Sequence, residues 1–116
     1  MHALIFKICP NAEWKAAEAA GIHRGSDKDR EDGFLHFSTA EQLMGTLARH
    51  YADANDLVLV AVDATALGSA LKYEPSRDGQ MFPHLYGDLP PAAVRWVRPI
   101  ARGRQGSFVL PARLTA

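Results

Sequence analysis

The sequence predicts a single α+β domain with two early helices and a β-rich second half. Three observations point that way. Strand-like and helix-like stretches alternate only as far as residue 63, after which short strand segments follow one another with little helix between them. That order differs from the steady alternation of a doubly wound parallel sheet. Gly-x-Gly-x-x-Gly and Gly-x4-Gly-Lys-Ser/Thr strings are both missing, which argues against a Rossmann unit and a P-loop enzyme. Finally, 116 residues, 47% hydrophobic and 22% charged, suit one core over about residues 3–110, with 111–116 as a tail and no room for a second domain.

Residues 3–9 are almost wholly apolar and rich in β-formers, so they read as a central strand in which Lys7 is the one charged member. Pro10 stops it. Asn11 is placed to cap a helix in which Trp14, Ala17 and Ala20 share a face, and Gly21 supplies its left-handed end. Residues 22–33 turn polar, and the run from Ser26 to Asp32 is expected to be an exposed, mobile loop that could serve as a lid. Phe34 to Phe37 forms a short strand. Ser38-Thr39-Ala40-Glu41 has the capping-box pattern that opens the second helix, with Leu43, Leu47 and Tyr51 directed inward.

Leu57 to Asp63 is the plainest strand, apolar on both faces and therefore central. A turn runs on to Gly68. Leu71 to Glu74 alternates as an edge or half-exposed strand, Pro75 ends it, and Ser76 to Gly79 turns the chain back. The stretch from Phe82 to Gly87 follows, then a short helical stretch at Pro90-Pro91, a strand near Val94 to Val97 and a last one at Ser107 to Leu110.

Thirteen basic and 13 acidic residues cancel, so no overall field draws in nucleic acid or an anionic membrane. From Pro91 onward there are five arginines and no acid, which reads as a solvated edge or a tail docking on the acidic body. Cys9 is the only cysteine, so an internal disulfide and a thiolate zinc site are both excluded, and a reducing compartment is favoured. There is no leader pattern and no membrane-length apolar run, and a cytoplasmic protein is expected.

Two strings carry the chemistry: Gly33-Phe34-Leu35-His36-Phe37-Ser38-Thr39 and Phe82-Pro83-His84-Leu85-Tyr86-Gly87. Each sets an imidazole in an apolar frame, where an unpartnered polar group would cost about 1–3 kcal/mol. Both are therefore candidates for a common pocket. His36 stands just before a helix start, near first-turn amides that suit an anion. Cleaving an N-glycosidic bond creates an oxocarbenium-like centre that a carboxylate stabilises while rings and hydroxyls hold base and sugar. His36, Glu74, Tyr86, Ser38 and Thr39 are groups of the right kind.

Lys7-Ile8-Cys9-Pro10 with Trp14, Asp32-Gly33-Phe34-Leu35-His36-Phe37-Ser38-Thr39 with Gln42, Tyr73-Glu74-Pro75 and Phe82-Pro83-His84-Leu85-Tyr86-Gly87 together closely resemble the bacterial domain-of-unknown-function family 952, over about residues 3–100. The resemblance implies an ADP-ribosyltransferase-like fold, a split and mostly antiparallel β-core whose active relatives grip NAD in a central cleft. It further implies His36 as the residue fixing the NAD riboses and Tyr86 or His84 as the group near the nicotinamide. Glu74 would orient a ribose hydroxyl, although it stands outside the usual late glutamate position. Lys7, Ser38, Thr39 and Gly87 are assigned to ligand binding. RNA 2′-phosphotransferases of the same fold use His and Arg residues instead, for which Arg95 and Arg98 are the candidates.

Two other classes stay open. One is a non-catalytic module that senses a nucleotide or metabolite. The other is a divalent-metal site from His36, His84 and Glu74, a competent ligand set without supporting local spacing. Each ring also has a bland reading: His36 as a core histidine, His84 as a turn brace, Tyr86 as packing, Ser38 as a helix cap. Glu74 could equally be an exposed strand charge. Trp14 and Trp96 read as core, and His2, His23 and His50 as surface.

Overall fold

The computed structural model describes residues 3–114; His2 and residues 115–116 of the expected tail lie outside the described residues. Strand β1 (Leu4–Pro10) leads into helix α1 (Asn11–Ala20), helix α2 (Asp27–Asp32) and the two-residue strand β2 (Leu35–His36). A single 3-10 turn at Ala40–Gln42 precedes α3 (Leu43–His50). The rest is β3 (Leu57–Asp63), β4 (Leu71–Pro75), β5 (Met81–Leu85), β6 (Val94–Arg102) and β7 (Phe108–Val109), joined by further 3-10 turns. The α+β class is as predicted.

The strands form two antiparallel sheets, ordered β1-β3-β6-β7 and β2-β5-β4. Strand β3 is central and buried from Leu57 to Val62 because both faces of its sheet are covered. On one face Ile5, Cys9, Val58, Val60 and Val62 pack with Trp14, Leu35 and Leu85. On the other Phe6, Ile8, Leu57 and Leu59 pack with Leu43 and Leu47 of α3. Each such large side chain removed from water contributes about 1.5–3 kcal/mol.

Strand β1, expected to be central, is the last strand of its sheet. Its free edge is closed by one bridge, in which Phe6 N–H donates to the Ser38 carbonyl at 2.9 Å and Ser38 N–H to that of Phe6 at 2.8 Å. The bridge joins the two sheets. In the three-stranded sheet β4 is the edge, as expected, and the register pairs Leu35 with Leu85, His36 with His84, Lys72 with His84 and Glu74 with Phe82. The period of two then sends Leu35 and Leu85 to the core, and His36, His84, Lys72 and Glu74 to the opposite face.

The structure corrects several local expectations. The run from Ser26 to Asp32 is largely exposed, as expected, except at Asp29, but it is a capped helix rather than a loop, which gives three α-helices among the described residues rather than two. Asn11 is the first helical residue and not the cap; its backbone N–H donates to the Asp56 carbonyl at 2.8 Å. Gly21 does close α1 at φ +79°. The cap before Ala40 is Thr39, whose N–H donates to Gln42 Oε1 at 3.0 Å, while the Ser38 hydroxyl bonds that of Thr46. His23 is buried rather than on the surface, because its backbone bridges to Leu89 and its ring packs on Trp14 at 5.5 Å. Trp14 is in the core, as read, and Trp96 packs half-buried against α3's side of the sheet. Among the described residues no helix is long and apolar enough to cross a membrane.

Candidate functional site

Helix α2 owes its position to short-range chemistry. Ser26 and Asp29 form a reciprocal cap: Asp29 N–H donates to Ser26 Oγ at 3.1 Å and Ser26 N–H to Asp29 Oδ2 at 2.9 Å. This turns Asp29, only 3% exposed, toward β1 and β2. Its Oδ2 pairs with Lys7 Nζ at 2.9 Å, and its Oδ1 meets the His36 backbone N–H at 3.1 Å and the His36 Nδ1 at 2.5 Å. Lys7 also donates to the His36 carbonyl at 3.0 Å. On the outer side His36 Nε2 lies 2.9 Å from Asp32 Oδ2, which also pairs with Lys28. A neutral ring can donate to one of these carboxylates; the imidazolium donates to both.

The second imidazole is held from the other strand. His84 is buried and its Nδ1 lies 2.8 Å from Glu74 Oε1, which also accepts from the Tyr86 hydroxyl at 2.7 Å. With the proton on Nδ1 for that bond, the neutral ring leaves Nε2 as an acceptor. Phe34 ties the two halves together: it stacks on His84 with centroids 4.0 Å apart and meets His36 at 4.7 Å and Tyr86 at 5.3 Å. The two histidine rings stand 5.7 Å apart, nearly edge to face. Lys72 Nζ sits 5.3 Å over the Tyr86 ring.

His36, Glu74, His84 and Tyr86 thus converge on one face. Ser38 and Thr39 do not join them, being buried in the cap and inter-sheet bridge just described. Lys7 is buried beneath His36, consumed by Asp29, and Gly87 is in the exposed turn after Tyr86. Arg95 and Arg98 belong to the other sheet, where Arg95 pairs with Asp63 and Arg98 lies over the Trp96 ring at 4.1 Å. Arg102 holds the carbonyls of Ala52 and Ala54, so the arginine-rich end docks on the body. Hollows of about 390 and 750 Å³ do not include His36, Glu74, His84 or Tyr86; the larger is lined in part by Lys7, Ser26 and Lys28, on the inner side of α2. Among the described residues no group of three His, Cys, Asp or Glu side chains is arranged for a metal, and both histidine Nδ1 atoms face carboxylates.

Asp29, Asp32, Phe34 and Lys72 were missing from the sequence-derived site. Ser26-x-x-Asp29, a capping pattern ending at Gly33, was the available signal for the first.

The carboxylates are tuned. Burial pushes the Asp29 carboxyl up, but hydrogen bonds from His36 and Lys7 and the lysine charge outweigh it and hold it well below the usual range. Hydrogen bonds from Tyr86 and His84 lower Glu74, and the same bond raises the Tyr86 phenol. A carboxylate whose folded pKa is depressed stabilises the fold above its unfolded value and loses that contribution as pH falls toward the folded one. The urea midpoint is therefore expected to hold from neutrality down to about pH 4 and to drop below it. With Asp29→Asn the acid-side drop should be shallower; an identical drop would mean other carboxylates dominate.

The fold and this face define a small α+β domain with two carboxylate-held imidazoles on a β-sheet surface. The chain belongs to the family described as Protein of unknown function (DUF952), whose model matches residues 8–97. It is similar to protein CC0527 from Caulobacter crescentus: that protein's crystal structure shares 42% identity, covers 97% of this chain and 99% of its own, and superposes with a TM-score of 0.90. The solution NMR structure of the same protein shares 43% identity over 90% of each chain, with a TM-score of 0.81. No curated protein matches the chain.

Proposed function

We propose that the face carrying His36, Glu74, His84 and Tyr86 binds an NAD-like nucleotide and supports transfer at an N-glycosidic bond, in an ADP-ribosyltransferase-like fold. The observation that carries this reading is the pairing of His36 and His84 across β2 and β5, 5.7 Å apart and each oriented by a carboxylate. Division of the β-core into two antiparallel sheets joined at Phe6 and Ser38 supports the fold reading.

Phe34 and the 42%-exposed Tyr86 offer ring faces to a planar base. Asp32 and Glu74 place negative charge where a glycosyl centre becomes positive. In such a transfer the bond from the ribose anomeric carbon to the base breaks, and the base leaves with the electron pair. An acceptor hydroxyl or water bonds to that carbon and gives its proton to His84 Nε2. Phosphoryl transfer is less well supported, since Arg95 and Arg98 are engaged on the other sheet.

NAD is expected to raise the Tm of the wild-type protein, and nicotinamide release should be detectable by chromatography. His36→Ala should abolish both while costing about 1–2 kcal/mol of stability. Binding without release would assign the face to a non-catalytic nucleotide module. Absence of any thermal shift with NAD would overturn the reading.

A further inference from the structure

A second hollow, of about 390 Å³, opens between α1 and the start of β6. Its wall is mainly apolar, including Ala17, Ile22, Leu89, Val94 and Val97, and its mouth is open to solvent beside the exposed Glu18 and Gly21. Trp14 and His23 also line it, at 7% and 3% exposure. Trp14 Nε1 and His23 Nε2 are both buried without a hydrogen-bond partner among the described residues. The two rings pack 5.5 Å apart, and leaving a nitrogen of each unpaired is costly, since such groups are normally satisfied by something.

We propose that this hollow is a binding site for a neutral, mostly apolar small molecule ending in a hydroxyl group, whose entry between the Trp14 and His23 rings uncovers Trp14 Nε1 and His23 Nε2 and lets the hydroxyl pair with them. The volume falls in the ordinary range for small-ligand sites, which are apolar with a few placed polar groups. The indole N–H can only donate, so the ligand must accept; the imidazole nitrogen can take a proton from the same hydroxyl. Burial, with Lys7 nearby, lowers the pKa of His23 and keeps the ring neutral at pH 7. A carboxylate ligand would therefore meet no cation in the wall and would face Glu18 instead. An ammonium could pair with Glu18 but could not accept from Trp14. The inference is independent of the nucleotide reading, which concerns the other side of the β2-β5-β4 sheet.

The chain has two tryptophans, so its spectrum has two indole N–H resonances, and Trp96 serves as an internal control on β6. Titration with 2-phenylethanol is expected to shift the Trp14 indole signal saturably and leave that of Trp96 in place. Phenylacetate, the charged analogue, should bind at least about tenfold more weakly. His23→Phe should weaken 2-phenylethanol binding about three- to tenfold, the worth of one hydrogen bond; should that variant not fold, the wild-type titration decides alone. A Trp14 signal that stays put up to the solubility limit, or equal binding of phenylacetate, would overturn the site.

Discussion

Asp29→Ala is expected to lower the unfolding free energy by about 3–5 kcal/mol in urea titrations, because it strips the partner from a buried ammonium. Lys7 is 5% exposed and would keep the His36 carbonyl and the face of the Phe37 ring, but no opposite charge. The same carboxylate also holds α2's own cap and the His36 backbone and ring. A double replacement separates charge from packing. Lys7→Met with Asp29→Leu removes both charges together, and apolar substitution of a buried pair is often neutral or stabilising. The double variant should therefore recover much of the loss while leaving His36 without its inner carboxylate. If stability returns and NAD binding does not, Asp29 positions the imidazole. A loss under about 1 kcal/mol in the single variant would show that Lys7 reaches water when α2 is perturbed.

The sheets were legible wherever one pattern dominated. Leu57 to Asp63 reads as central because nothing in it is polar before Asp63, and β4 reads as an edge because Lys72 and Glu74 alternate with apolar neighbours and Pro75 ends it. The two imidazoles were singled out for the same reason, as polar exceptions in apolar strings. Their pairing was not visible, since β2 is two residues long and its register with β5 depends on contacts made far along the chain. The run from Ser26 to Asp32 is largely solvent-exposed apart from Asp29, as its charge density implies, but that density hides the capped helix that turns Asp29 inward. Its polar residues are spent on one another and on β1: Ser26 on Asp29, Lys28 on Asp32, Asp29 on Lys7. Ser38 misled by one position, since the inter-sheet bridge claims its backbone and leaves the cap to Thr39. His23 reads as surface because a polar stretch follows it, and the backbone bridge to Leu89 and the packing on Trp14 that turn it inward depend on residues distant in sequence.

Gly25→Ala is expected to cost on the order of 3 kcal/mol, combining the strain of a left-handed L-residue with overpacking. Gly25 lies at φ +95°, and an added Cβ would run into Leu35 Cδ2 and stand 2.7 Å from Asp29 Cβ. Neither neighbour can retreat easily, since Leu35 is core and Asp29 is fixed by Lys7 and His36. Gly33, at the other end of α2, supplies the control: its φ is +87°, but nothing lies within 4 Å of the added carbon. Gly33→Ala should carry only the backbone strain, about 1–2 kcal/mol. The difference in urea midpoint between the two variants then measures the close approach that seats Asp29 under His36. Because that approach also sets where the imidazole points, Gly25→Ala should weaken NAD binding beyond what Gly33→Ala does. Equal losses in the two variants would mean that α2 can shift without moving His36, and the carboxylate would be a structural partner of Lys7 alone.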